Sequence, residues 1–596
     1  MPAATTSTRS IGDRLFNWLC QAAAGFVVLA SIGLVVVLIV QSSPILSRAG
    51  EFLTNDQLDP NKGRFGALSY IYGTLITSFW SMMLAVPLGV LSATYLAEIA
   101  SPRIRKIGSF LIELLAAIPS VVYGFWGLFF IAPAIQQLFN LLGGPNTGGS
   151  GITSASVILA IMIVPYITAI TFDVCRAVPR SQREGSLALG ATRWQMISTS
   201  VLPFARPGIL AACFLALGRA LGETMAVTML IGNRADLPNT VQGVLFPFFE
   251  LGDSIASVIA NQLNETSDET HRAALVALGL LLFLVTIIVN ITARLFIQGS
   301  SGGARRTSLA ILPRINPERL SVAMIYVMRA ALWITIVPLF LILSYICYRG
   351  IGGLSVEFFT SLPQSPAPGM PRGGLAHAFI GSLMLVSLAS LFAVPIGILC
   401  AVYLSEYKRT RSTGIVRFIA ELLGGVPSIV IGIFAYALIV RTTGSFSSWA
   451  GSFALGIMMI PIVVRSTEES LKLVPSSLRQ ASYALGAHEW QTTLNVTLPA
   501  ALPAIVTGVF LAIGRIAGET APLLLTAYGS NFFPRSPSDR TPFLPKYIYD
   551  YSRSGIPNWE QQAWAAALVL VTVIMFLNVA IRYLAGARQI TASRAD

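Results

Sequence analysis

The chain has 596 residues, of which 54% are hydrophobic and only 11% charged. Soluble domains carry roughly 25% charged residues, so an ordinary water-soluble globule is excluded. The net charge of +13, from 40 Lys and Arg against 27 Asp and Glu, belongs to one face of a membrane and does not point to nucleic acid, because the basic residues cluster in alternate loops between apolar runs.

The first run, Ala22 to Val40, follows Arg9 and Arg14. It is too long for a secretory leader and lacks a convincing small-residue cleavage site, so it is read as a span. Runs of roughly 20 apolar residues cross a ~30 Å hydrocarbon core as helices. Twelve are expected, near 20–40, 69–97, 109–133, 152–172, 207–231, 273–296, 323–348, 379–404, 414–440, 450–466, 502–527 and 562–584. The fold class is therefore an all-α integral membrane protein. Arg103, Arg105 and Lys106, then Arg176, Arg180, Arg183 and Arg193, then Arg294, Arg305, Arg306, Arg314 and Arg319, then Lys408, Arg409 and Arg411, and finally Lys472 and Arg479 mark the cytoplasmic loops. Opposite loops carry Glu51, Asp56 and Asp59, and Asp236, Glu250, Asp253, Glu265, Asp268 and Glu269; the last outer loop, with Arg535, Arg540 and Lys546, is mixed. An even number of spans places both termini in the cytoplasm.

The sequence repeats itself. A shift of 296 superimposes Val164–Thr224 on Ile460–Thr520 without a gap, with 26 of 61 positions identical. Upstream, a shift of 308 aligns Gly73, Pro87, Glu98, Glu113, Pro119 and Gly124 with Gly381, Pro395, Glu406, Glu421, Pro427 and Gly432. Six spans per half make the repeats parallel, related by an axis along the membrane normal, with a pathway expected between them. The expected division is a first half at 1–298, a cytoplasmic Gly- and Arg-rich linker at 299–317 and a second half at 318–596.

Two cytoplasmic segments, Val178–Pro203 and Val474–Pro499, each read as helix, glycine, helix, with Gly190 and Gly486 both 13 residues before the closing proline. A span-to-span loop this long with a helical pattern has work beyond connection. Next come Gly218–Thr224 (GRALGET) and Gly514–Thr520 (GRIAGET), inside apolar spans. Arg219 with Glu223, and Arg515 with Glu519, are expected at i and i+4 on one helical face, turned into a protected cavity because a charge in lipid costs several kcal/mol. A guanidinium fork suits a tetrahedral oxyanion; the alternative is an Arg–Glu pair that only pins helices. Arg465 has no counterpart, since 465 − 296 falls on Ala169, and reads either as a third anion contact or as a snorkelling residue at the inner face. Pro119 and Pro427 interrupt spans at matched places, lining the pathway or only kinking packed helices. No Gly-Lys dipeptide exists to build a nucleotide-binding loop, and His271, His377, His488 and the five single cysteines form no metal or catalytic grouping. No catalytic residue, metal or cofactor is expected in this chain.

The paired loops resemble the EAA loop of ABC-type import permeases, with Gly185 and Gln480 departing from the family pattern. The first half, through LLAAIPSVVYG and GRALGETMAV, is similar to the C permease of the phosphate-specific transport (Pst) family; the second, through LLGGVPSIVIG, SLRQASYALGA and GRIAGETAPLLLTA, is similar to its A permease. The resemblance implies a type I importer permease fold in a bacterial inner membrane and inorganic phosphate as substrate. It also implies a pair of partner ATPase subunits consuming ATP and Mg, and an external phosphate-binding protein. On that resemblance Glu184, Gly185, Ser186 and Gly190, with Gln480, Ala481, Ser482 and Gly486, couple to the ATPases, while Arg219, Glu223, Arg515, Glu519 and Arg465 line the substrate path. Permeases for molybdate, sulfate or phosphonate remain open, as does an ion-coupled secondary transporter, which needs no docking loops.

Overall fold

The computed structural model describes residues 10–234, 237, 247–266, 268–299, 316–364, 373–406 and 411–592. Most of the expected linker, with Arg305, Arg306 and Arg314, lies outside the described residues, as do Asp236, Lys408 and Arg409. Among the described residues, eleven helices are long and apolar enough to cross a membrane, and a twelfth span is formed by Ser412–Gly424 and Ser428–Thr443, bent by 101°. The expected count of about twelve holds.

The matching span of the first half is broken at the same place. Pro102–Ala117 ends before Ile118-Pro119, and the chain resumes as Ser120–Trp126. Proline lacks the N–H that a continuing helix needs, and it disfavours α backbone at the residue before it. Ile118 is accordingly extended. The freed carbonyls of Leu115 and Ala116 accept hydrogen bonds from the hydroxyls of Tyr123 (2.6 Å) and Tyr166 (3.3 Å).

At the centre of each half a largely buried helix, Ile152–Arg176 or Ser448–Lys472, packs along Leu68–Thr94 or Ala376–Glu406. Gly89 and Gly397 allow these backbones to approach, each filled against by Ile167 or Val463. The first helix of each half crosses to the other. Ile11–Leu46 packs on Ala376–Glu406 and Arg411–Gly424 of the second half, and Pro317–Gly350 on Leu68–Thr94 and Pro102–Ala117 of the first. A buried hydrogen bond of 3.0 Å between the Ser92 and Thr335 hydroxyls sits in this crossing. Thirty-six residues of helix in Ile11–Leu46 make a rod of about 54 Å at 1.5 Å per residue, far longer than the hydrocarbon core. Its N-terminal end reaches one of the basic loops, where Asp13 meets Trp490.

Candidate substrate pathway and coupling loops

The span carrying Arg219 does not run through its motif. Leu202–Gly222 stops at Gly222; Glu223 is extended (φ −72°, ψ 129°) and a short helix, Met225–Leu230, follows. In the second half Leu498–Ala517 ends before Gly518, and Ala521–Thr526 follows. The expectation that Arg219 and Glu223, or Arg515 and Glu519, occupy i and i+4 of one continuous helix is therefore corrected: each glutamate lies in the break. Across the molecule, each motif glycine at the break meets the span-breaking proline of the opposite half. A Cβ on Gly222 would stand 3.2 Å from Pro427, and one on Gly518 2.9 Å from Pro119. Four breaks, two from each half, thus interlock at one level.

Beyond this level, on the side of the outer loops, further contacts join the halves. Asn264 Nδ2 donates to the Leu524 carbonyl (2.7 Å), Tyr549 Oη donates to Asn261 Oδ1 (2.9 Å), and Phe125 stacks on Trp564 at 3.9 Å. The arginines lie one turn to the cytoplasmic side of the interlock. Arg219 is half-buried, Arg515 is exposed and lines a small cavity, and both glutamates are half-buried. Arg219 is within electrostatic reach of Glu223 and of Glu519 from the other half, and Glu519 of Arg515. The Ser120 hydroxyl and the amides of Thr224 and Ala226 face the Glu223 carboxylate. The four charges are thus one group spanning both halves. Arg465 stands apart, exposed and paired with Glu469 at 3.1 Å one turn along its own helix.

Asn290 is an inter-half contact beside Arg219 that sequence reading missed. Its side-chain amide is wedged between Gly218 and Gly425, 3.1 and 2.5 Å from where their Cβ atoms would stand, so it bridges the halves beside Arg219. A polar asparagine within the apolar run of Glu269–Gly299 is the signal that could have found it.

Both cytoplasmic segments form the expected helix, glycine, helix. Arg180–Ala188 and Ser476–Ala484 are followed by Gly190 and Gly486, at φ +83° and +84°, in the left-handed region where glycine is favoured. Helices then restart at Arg193 and Glu489. Glu184, Gly185, Gly190, Gln480, Ala481 and Gly486 are exposed, and Ser186 and Ser482 half-buried. The half-buried serines tie each loop to itself, Ser186 to Ser200 (2.5 Å) and Ser482 to Thr492 (2.8 Å). Leu189 and Leu485, missed in the sequence reading, are each 90% exposed at the tip. The same large apolar side chain is thus presented at the tip of both loops.

Each segment is anchored by an arginine. Arg183 forks onto Glu98 at 2.8 and 2.9 Å and donates to the Cys175 carbonyl (2.7 Å); Arg479 makes a single bond to Glu406 (2.9 Å) and donates to the Leu471 carbonyl (2.9 Å). The opposite half adds a second tether through its crossing helix. Asp13 accepts from the Trp490 N–H (3.1 Å), and the Ser321 hydroxyl from the Trp194 N–H (3.2 Å). Asp13 and Ser321 are separated by 308, Trp194 and Trp490 by 296, the two offsets of the repeat.

Comparison with known proteins agrees with this architecture. The family described as binding-protein-dependent transport system inner membrane component matches residues 85–302 and 393–588. The phosphate transport system permease protein PstA of Haemophilus influenzae is 43% identical over 239 residues, covering 40% of this chain and 84% of that protein. PstC of Mesorhizobium japonicum is 38% identical over 307 residues (49% of this chain, 91% of that protein), and PstC of Haemophilus influenzae 39% over 287 (46% and 88%). PstA and PstC match different halves. With the family matching both halves, the chain belongs to the family of binding-protein-dependent transport system inner membrane components, as a multi-pass fusion of two permeases rather than as the ATPase.

Proposed function

We propose that this chain is the complete membrane pathway of an ATP-driven importer for inorganic phosphate. Residues 1–298 supply the PstC-like half, 318–596 the PstA-like half, and 299–317 a cytoplasmic linker that fixes them at one to one. The observation that carries the reading is the interlock of Gly222 with Pro427 and Gly518 with Pro119, with Arg219 and Arg515 immediately on its cytoplasmic side. A seal bordered by two guanidiniums, with Glu223 and Glu519 beside them, favours entry of an oxyanion while limiting how tightly it is held. Contacts between the halves on the outer side, together with an exposed Arg515, correspond to an inward-facing resting state.

A binding protein delivers phosphate at the outer loops. A pair of ATPase subunits, using ATP and Mg, grips the two loop tips through Leu189 and Leu485 and the exposed faces around Glu184, Gly185, Gly190, Gln480, Ala481 and Gly486. Their closure is transmitted through the Arg183–Glu98 and Arg479–Glu406 anchors to the spans, which part at the interlock. The membrane is the bacterial inner membrane, with both termini cytoplasmic. Arg465, tied to Glu469, serves at the inner mouth rather than at the seal.

The test is ATP-dependent uptake of labelled phosphate in proteoliposomes holding the chain, its ATPase and its binding protein. Wild-type uptake that collapses in Arg219→Gln and Arg515→Gln, with ATPase association intact, supports the reading. Uptake of molybdate or sulfate in place of phosphate overturns the substrate, and uptake without ATPase overturns the class.

A further inference from the structure

The two arginines occupy equivalent positions in the repeat but unequal surroundings. The Arg219 guanidinium lies 4.3 Å from the centre of the Tyr166 ring, in cation–π contact. Tyr166 is itself held by its hydroxyl on the Ala116 carbonyl, and Tyr123, buried behind it, by its hydroxyl on the Leu115 carbonyl. At the same four positions of the second half, read with the offsets of 296 and 308, stand Ile462, Gly424, Ile431 and Leu423. Those four residues and Arg515 together line the small cavity beside the seal. Where the first half holds two tyrosine rings, the second half has open space, and Arg515 is exposed beside it.

We infer that Tyr166 is a positioning residue that holds Arg219 stationary for the anion, while Arg515, with room beside it, is the arginine that moves. The inference rests on the proposal that these arginines handle the transported oxyanion. The ring contact occupies the face of the guanidinium and leaves its in-plane donors available; Nε is buried without a hydrogen-bond partner. A cation already held flat gives up little conformational freedom when an oxyanion arrives, so the fixed arginine contributes affinity. Arg515 has no ring beneath it in the matching place, and its freedom suits it to follow the anion as the halves part. A repeat of two identical arginines would hold the anion equally from both sides; unequal ones hold it chiefly from the first half.

The assembled importer in proteoliposomes provides the test, with KM and kcat for phosphate uptake measured separately and ATPase association as a folding control. Tyr166→Ile, which gives the first half the residue of the second, is expected to raise KM about three- to thirtyfold with little change in kcat, the range an ordinary cation–π contact represents. Tyr166→Phe keeps the ring and loses only the 3.3 Å hydroxyl contact to the Ala116 carbonyl, so its KM is expected to lie nearer wild type than that of Tyr166→Ile. Ile462→Tyr, which fills the space beside Arg515, is expected to lower kcat and leave KM nearly unchanged. An unchanged KM in Tyr166→Ile, or a Phe variant as impaired as the Ile variant, overturns the positioning role; a wild-type kcat in Ile462→Tyr overturns the moving role of Arg515. Arg219→Gln serves as reference: if it transports normally, the arginine pathway itself fails, whereas its collapse beside a normal Tyr166→Ile removes only this inference.

Discussion

Gly518 of the second half lies flat against the ring of Pro119 of the first, so close that a methyl group on the glycine would stand 2.9 Å from two ring carbons. The reciprocal pair, Gly222 and Pro427, is looser, at 3.2 to 3.3 Å. Neither glycine has a positive φ, so the requirement is one of space. Gly518→Ala is expected to push the halves apart at the seal at an overpacking cost of about 1–3 kcal/mol, with Gly222→Ala milder. The check is the melting temperature of the purified chain alongside passive phosphate leak from loaded proteoliposomes. Equal, negligible effects in both variants would show that the interlock is not a tight joint.

The anchors of the coupling loops make a separate prediction. Arg183 is 19% and Glu98 5% exposed, and the second pair, Arg479 and Glu406, 20% and 14%. Removing one partner strands the other in a poorly solvated place, which for buried pairs costs about 3–5 kcal/mol. Glu98→Gln and Glu406→Gln are expected to loosen the loop helices while the span helices remain. Hydrogen exchange should report faster exchange in Arg180–Ala188 or Ser476–Ala484, and ATP hydrolysis should continue with less phosphate moved per ATP. A double variant such as Glu98→Gln with Arg183→Met should recover part of the loss if the pair acts as a unit.

The apolar runs and the two offsets of the repeat made the spans, the two halves and the helix, glycine, helix form of the paired loops legible, because hydropathy and a 26-in-61 identity are local properties of the chain. The geometry at the seal was not. Arg219 and Glu223 read as helical neighbours because spacing assumes a continuous helix, whereas the helix stops between them at Gly222, which packs on Pro427, a residue 204 positions beyond Glu223 in the other half. The crossing of Ile11–Leu46 and Pro317–Gly350 was hidden for the same reason, since which half an apolar helix covers leaves no trace in its own composition. Arg183 and Arg479 were counted only as basic loop residues. Their carboxylate partners, Glu98 and Glu406, were visible as aligned positions of the repeat but lie 85 and 73 residues away.

Leu189 and Leu485 test the docking surface directly. Both are 90% exposed and touch little of their own loop, so replacing them should alter stability by no more than about 0.5 kcal/mol. Leu189→Asp and Leu485→Asp are each expected to weaken co-purification of the ATPase, and the double variant to abolish it, with the thermal melt of the chain alone unmoved. Retention of the ATPase by the double variant would shift the docking surface elsewhere on the loops.

Asp253 gives the outer side a pH dependence with a definite sign. It is buried just before Ile255–Gln262, outside the spans, and burial pushes its carboxyl up to about 7, even though the Ser254 N–H donates to it at 2.8 Å. Tyr70, at the outer end of Leu68–Thr94, is a titratable group facing it among the described residues. In the unfolded chain the same carboxyl ionises near its ordinary value of 3.8. Between those values the folded state binds the proton more tightly than the unfolded state, so stability falls as pH rises from about 4 to about 7 and then levels off. Asp253→Asn removes the titrating group while keeping its shape. The variant should therefore match the wild-type melting temperature near pH 4, exceed it at pH 8, and lose the wild-type slope between. A wild-type slope that survives in Asp253→Asn would assign the dependence to another group.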